Sequence, residues 1–205
     1  MTRGTAWPRR SILLDRPGSN LFLQYGAVLV LTAVLFGISC APGLLWQDSG
    51  LIQYRIINND IEGFLGLAIS HPLFYLLAIC TKAITWGRVP YAANMLSAMA
   101  GAIAVANLFL LVRLWTGKAL AATLAALALA LSHTFWQHAS MAETYTLWSA
   151  LFTAELVVLL QYTKTGRTGY LYWLVFFNGC PISPVCEVYA NVFVRFRAGE
   201  SNALA

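Results

Sequence analysis

Leu21 to Ala41 is a mostly apolar run of 21 residues without a charge. At about 1.5 Å per residue that stretch crosses the roughly 30 Å hydrocarbon core of a bilayer, so it predicts a first transmembrane helix. From Leu51 to Ser70 the pattern changes to a two-sided one. Tyr54, Ile57, Ile61, Phe64, Leu65 and Ala68 recur at helical spacing, and Gln53, Arg55, Asn58, Asp60 and Glu62 take the other side. Such a helix lies on a membrane surface rather than through it. Leu73 to Ile79 is apolar again, but Lys82 and Trp86-Gly87-Arg88 cut it short. It predicts a juxtamembrane helix, not a crossing. Further spans are expected at about 91–112, 119–136 and 144–162, with a partial one at 170–180 and residues 42–90 as a first outer loop.

Composition agrees with this pattern. The chain is 59% hydrophobic and 10% charged, whereas soluble domains carry about 25% charge. The expected fold class is an all-α, polytopic membrane helical bundle. The net charge of +5 does not indicate nucleic acid. Arg3, Arg9, Arg10 and Arg16 precede the first span, where cytoplasmic basic residues gather. Residues 1–20 are read as a cytoplasmic tail, and the N-terminus as cytoplasmic.

Charge placement separates two topologies. If the segment at Leu73 does not cross, Arg113, Lys118, Lys164 and Arg167 join the four N-terminal arginines inside, and only Arg55, Lys82 and Arg88 lie outside. If it crosses, the basic residues divide almost evenly. The positive-inside rule prefers the first arrangement, which also gathers Asp48, His71, His138 and Glu143 on the outer face. Trp46, Trp86, Trp115 and Trp136 fall near segment ends, where indoles favour the headgroup region. Cys40, Cys80, Cys180 and Cys186 lack the paired short spacings of a zinc site. After Pro181 and Pro184 the tail to Ala205 is polar, with neither a span nor a recognisable domain. It is read as the product of truncation or frame-shift in a longer gene.

Five motifs occur in order: Pro42-Gly43-Leu44-Leu45-Trp46-Gln47-Asp48-Ser49-Gly50, His71-Pro72-Leu73-Phe74-Tyr75, Asn94-Met95-Leu96-Ser97-Ala98, Leu131-Ser132-His133-Thr134-Phe135-Trp136 and Ala142-Glu143-Thr144-Tyr145-Thr146-Leu147. Together they resemble the bacterial branch of the GT-C membrane glycosyltransferases related to protein O-mannosyltransferases, over about residues 20–178. Where that branch often reads Trp-Asp-Ser-Gly-Glu, this chain has an inserted Gln47 and Leu51 in place of the glutamate.

The resemblance implies the N-terminal part of a GT-C transmembrane module (21–178). It implies transfer of a sugar from a polyprenyl-phosphate donor to a protein or envelope-glycan hydroxyl, in a bacterial inner membrane. Asp48 matches the acid of the first outer loop, with general base as its implied role; its plainer reading is a helix N-cap. Glu143 matches the acid after the third span, where it would orient the acceptor or share a divalent metal with Asp48. His71 and His138 are candidate donors to the departing phosphate. Arg55 is a candidate partner for the donor phosphate or else a surface charge beside Asp60 and Glu62, and Trp46 belongs to the same substrate-binding group. Glu155, inside the last complete span, is a functional candidate by its depth. Its alternatives are a hydrogen bond to Asn107 or a protonated carboxyl packed between helices. Competing readings are a transporter or channel fragment and a catalytically inactive membrane remnant. Polar residues concentrated in the outer loops, rather than at the midplane, favour the enzyme.

Overall fold

The computed structural model of the chain describes residues 19–64, 66, 71–82, 85 and 88–179. The basic tail through Gly18, Trp86 and the polar tail after Gly179 lie outside the described residues. Within them every regular element is a helix: α1 (Ser19–Ser39), α2 (Gln47–Ile57), α3 (Pro72–Lys82), α4 (Val89–Thr116), α5 (Ala119–Ala130), α6 (His133–Ser140), α7 (Tyr145–Thr165) and α8 (Gly169–Gly179). Three of these, α1, α4 and α7, are long and apolar enough to cross a membrane, and a fourth crossing results if α5 and α6 count as one broken span. The chain is an all-α membrane helical bundle.

Local chemistry sets the boundaries. Pro90 stands in the first turn of α4, where its missing N–H costs nothing. Gly117 and Gly166 close α4 and α7 in the left-handed conformation that needs no Cβ. The surface helix expected to reach Ser70 stops at Ile57. The cause is Asn58-Asn59-Asp60: Asn58 Nδ2 donates back to the Tyr54 carbonyl at 2.9 Å, and Asp60 Oδ1 accepts from the Gly63 N–H at 2.7 Å. These short polar side chains satisfy the backbone in place of the next helical turn. Lys82 Nζ then donates to the Ile57 carbonyl at 2.6 Å, tying the end of α3 to the end of α2.

The span expected at 119–136 is not continuous either. It breaks at Leu131–Ser132, and α5 and α6 meet at 64°. Ser132 opens α6 in an extended conformation, and its carbonyl accepts from the Trp136 N–H at 2.9 Å. Helix α3 has 11 residues, about 16 Å of helix, too short to cross alone.

Helix α4 is the centre of the bundle, meeting α1, α2, α3, α5, α6 and α7. Its buried residues are mostly small: Ala93, Ala98, Ala100, Gly101, Ala102, Ala104 and Ala106. In lipid no hydrophobic force drives helices together, so close van der Waals approach between small residues must do it. A Cβ on Gly101 would lie 3.0 Å from that of Ala139 and 3.3 Å from the Phe36 ring. One apolar cluster joins Phe36 of α1, Ala98, Ala102, Val105 and Phe109 of α4, Ala122 and Ala126 of α5 and Ala139 of α6. A second joins Ile52 and Ile56 of α2, Phe74, Tyr75 and Ala78 of α3, Val89 and Ala93 of α4, and Ala142.

Hydrogen bonds fix which helix ends lie together. Trp136 Nε1 donates to Ser39 Oγ at 2.9 Å, and the Ala41 N–H donates to the Ser140 carbonyl at 2.8 Å. Asn94 near the start of α4 donates to the Ala41 carbonyl at 2.9 Å, and α7 begins at Tyr145 soon after α6 ends at Ser140, so the end of α1, the start of α4, the end of α6 and the start of α7 share one end of the bundle. At the other end Lys164 Nζ donates to the Leu114 carbonyl, a cation at the negative end of α4.

Candidate functional site

The shared end carries the candidate chemistry. Helix α2 starts at Gln47, whose φ of 56° is left-handed. The chain turns sharply there, because Gly50 passes so close to the Leu45 carbonyl oxygen that a Cβ would collide with it. Trp46 is the N-cap, makes no side-chain capping bond and is 91% exposed. Asp48 therefore lies inside the first turn, not at the cap position. A carboxylate there is favoured by the positive end of the helix, and its side chain is exposed.

Ser49, the next residue, turns inward. Its Oγ donates to Glu143 Oε1 at 3.0 Å across 94 positions of sequence. Glu143 is buried at 9% exposure in the short connection between α6 and α7. Its main chain is held by α4: Ser97 Oγ donates to the Glu143 carbonyl and accepts from the Glu143 N–H, each at 3.0 Å. Burial raises the Glu143 pKa above the ordinary 4.5; the Ser49 hydrogen bond and the charge of His138 oppose the rise, and the Asp48 charge adds to it. Asp48, Ser49, His138 and Glu143 thus form one electrostatic neighbourhood.

The His138 ring lies 4.9 Å from that of Tyr145, and its buried Nδ1 has no hydrogen-bond partner among the described residues. His71 precedes Pro72 with a left-handed φ of 54°. It lines a shallow groove between α3 and α7 with Phe74, Thr144, Leu147 and Trp148. Partial shielding of its ring lowers its pKa from 6.5. Among the described residues three non-glycine positions are left-handed, Gln47, Asn59 and His71, and the first immediately precedes Asp48.

The structure brings Asp48, Glu143, His71 and His138 to one end of the bundle but commits Arg55 elsewhere. Its Nε lies 3.4 Å from Asp60 Oδ2, its Nη2 donates to the Ile61 carbonyl at 2.8 Å, and its guanidinium lies 3.9 Å over the Tyr75 ring. That side chain, 11% exposed, builds its own loop. Glu155 is also placed differently from expectation: Asn178 of α8 donates to its Oε1 at 2.6 Å. Asn107 is instead occupied by the Tyr25 hydroxyl, which it accepts at 3.1 Å, and by the Ala150 carbonyl, to which it donates at 3.1 Å. Among the described residues no group of three or more His, Cys, Asp or Glu comes together to hold a metal ion.

Sequence reasoning missed Ser49, Gln53, Asn94 and Ser97 as members of the site. A signal was present: Ser49 and Gln53 are four apart and Asn94 and Ser97 three apart, spacings that put polar groups on one face of each helix. Gln53 and Asn94 are both fully buried, and Gln53 Nε2 donates to Asn94 Oδ1 at 2.8 Å.

No solved structure matches the chain. Residues 67–183 match the family described as Protein O-mannosyl-transferase TMEM260 N-terminal domain. The matched stretch holds His71, Asn94, Ser97, His138 and Glu143, whereas Asp48, Ser49 and Gln53 precede it. Since the match covers more than half of the 205 residues and points to a protein O-mannosyltransferase-like glycosyltransferase, the chain belongs to that family.

Proposed function

We propose that the protein is a GT-C type glycosyltransferase of the bacterial branch, transferring a sugar from a polyprenyl-phosphate donor to a protein or envelope-glycan hydroxyl. The reaction takes place on the membrane face where α2 lies, which is the outer face of the inner membrane if the N-terminus is cytoplasmic. The observation that carries this reading is the 3.0 Å hydrogen bond from Ser49 to Glu143. It joins the first outer loop to the acid after the bent α5–α6 pair and leaves the neighbouring Asp48 exposed to an acceptor.

Asp48 acts as general base. It takes the proton from the acceptor hydroxyl as that oxygen attacks the anomeric carbon. The bond from that carbon to the phosphate oxygen breaks, and the phosphate leaves with the electron pair. His71 and His138, at the same end of the bundle, are placed to donate hydrogen bonds to the charge growing on it. Trp46, fully outside the helix packing, suits the headgroup region and a substrate arriving through lipid. Glu143, with one oxygen taken by Ser49, sets the electrostatic surroundings of Asp48.

Membranes carrying the protein, supplied with labelled polyprenyl-phosphate sugars, test this with Asp48→Asn. Loss of transfer by about a hundred-fold or more is expected for a general base. Equal transfer by parent and variant would overturn the proposal. Membrane-impermeant thiol reagents that failed to reach a cysteine at position 48 from outside the cell would overturn the orientation.

A further inference from the structure

Helix α2 is tied to α4 twice. One tie is the path Ser49–Glu143–Ser97. The other, one turn along, uses Gln53 and Asn94 and involves neither Asp48 nor Glu143. Gln53 Nε2 donates to Asn94 Oδ1 at 2.8 Å and to the Gly43 carbonyl at 3.3 Å, and Gln53 Oε1 accepts from the Leu45 N–H at 3.0 Å. Asn94 Nδ2 donates to the carbonyls of Ala41 at 2.9 Å and Gly43 at 3.2 Å. Each amide therefore uses both its donor and its acceptor ends. Exchanging O and N in Asn94 would set two donors face to face and aim an oxygen at two carbonyls, so the network has one self-consistent orientation.

The main-chain groups it reads, Ala41, Gly43 and Leu45, are those of the segment that delivers the chain into α2. Two apolar side chains would fill the same space without fixing how α2 is rotated. A fully satisfied buried polar network fixes it. Rotation matters here because a helix turns about 100° per residue, so Asp48, five before Gln53, heads about 140° away from the clamp. Setting the heading of Gln53 sets that of the carboxylate.

We propose that Gln53 and Asn94 are positioning residues for Asp48: their buried amide pair fixes the rotation of α2, and so the direction in which the catalytic carboxylate meets the acceptor. This rests on the general-base reading of Asp48.

The test is a double-mutant cycle in membranes containing the whole protein, with Gln53→Met, Asp48→Asn and both together. Alone, Gln53→Met is expected to lower kcat at least ten-fold with KM for the donor within two-fold. In the Asp48→Asn background it is expected to cost nothing further, because there is no base left to misdirect. Amide hydrogen exchange of the same variants should rise at least ten-fold across α2 and stay unchanged in the middle of α4. Equal loss in both backgrounds, no loss, or a rise in exchange shared by α2 and α4 would overturn the proposal. If Gln53→Met does not accumulate, Asn94→Leu decides in the same cycle, since this side chain of nearly the same shape removes both the acceptor facing Gln53 and the donation to the loop carbonyls. Undiminished transfer by Asp48→Asn would instead remove the base assignment, a failure separate from that of the clamp, which hydrogen exchange reads without activity.

Discussion

One hydroxyl of α4 closes on both main-chain polar groups of one distant residue: Ser97 Oγ gives its proton to the Glu143 carbonyl and receives the Glu143 N–H, at 3.0 Å each. The connection between α6 and α7 has no regular structure to satisfy those groups, and buried backbone must find partners somewhere. Ser97→Ala leaves both unmet. It is expected to destabilise the protein by about 2 kcal/mol, read as a lowered unfolding midpoint in detergent. An unchanged midpoint would show that water reaches the groups after all.

Glu143 makes stability depend on pH in a direction opposite to that of most carboxylates. Its folded-state pKa is raised above 4.5, chiefly by burial, so folding favours its protonated form. Its contribution is fully present below the unfolded value and is lost as pH rises through the raised one. Glu143→Gln removes that dependence while keeping an oxygen for Ser49. The variant should gain on the parent as pH climbs from the ordinary value of 4.5 through the raised one, by at most ~1.4 kcal/mol for each tenfold weakening of the acid on folding. Parallel unfolding curves for the two proteins across this range would contradict the burial of the carboxyl.

Gly50 allows α2 to begin where it does, since any Cβ there meets the Leu45 carbonyl oxygen. Main chain cannot swing aside as a side chain tip can. Gly50→Ala should cost about 1–3 kcal/mol and also lower transfer, because the displaced turn holds Asp48. Wild-type melting and turnover in this variant would mean that the loop from Pro42 to Trp46 yields freely.

Glu155 and Asn178 offer a test within the membrane. Asn178 donates to Glu155 Oε1 at 2.6 Å and to the Leu174 carbonyl at 2.9 Å. Asn178→Leu alone takes this donor from a half-buried carboxyl and should be destabilising by about 1–3 kcal/mol. Glu155→Leu added to it should restore most of the loss, because replacing both partners by apolar groups removes the unmet demand. Additive losses in the double variant would show that Glu155 has a further role of its own.

Much of the bundle was legible in the sequence because lipid imposes simple rules. Predominantly apolar runs of membrane length located α1, α4 and α7, and Lys82 with Arg88 marked α3 as too short to cross. Breaks were harder to see. Leu131-Ser132-His133 remains apolar enough to read as a continuous span, and the bend depends on how α6 packs against Phe36 and Gly101. The premature end of α2 was spelled out by Asn58-Asn59-Asp60, but amphipathic spacing beyond it masked the signal. Partners across long separations were not legible: nothing in the residue types pairs Ser49 with Glu143, or Glu155 with Asn178 rather than Asn107. Arg55 reads in the sequence as a phosphate partner or a surface charge beside Asp60 and Glu62, yet the loop folds back so that Asp60 and the Ile61 carbonyl occupy it.

The inner face of α4 has a consequence for how such a molecule can change over time. Ala98, Ala102 and Val105 are fully buried, and α1, α5, α6 and α7 all lean on this one helix. A single added methyl group there disturbs several neighbours at once, and none of them can adjust without the others. The outward sides of α1 and α8, bearing Phe22, Leu31, Tyr172 and Phe176, are free to exchange one apolar residue for another. Descendants of this sequence should therefore diverge at the rim one position at a time and at the axle only in matched sets.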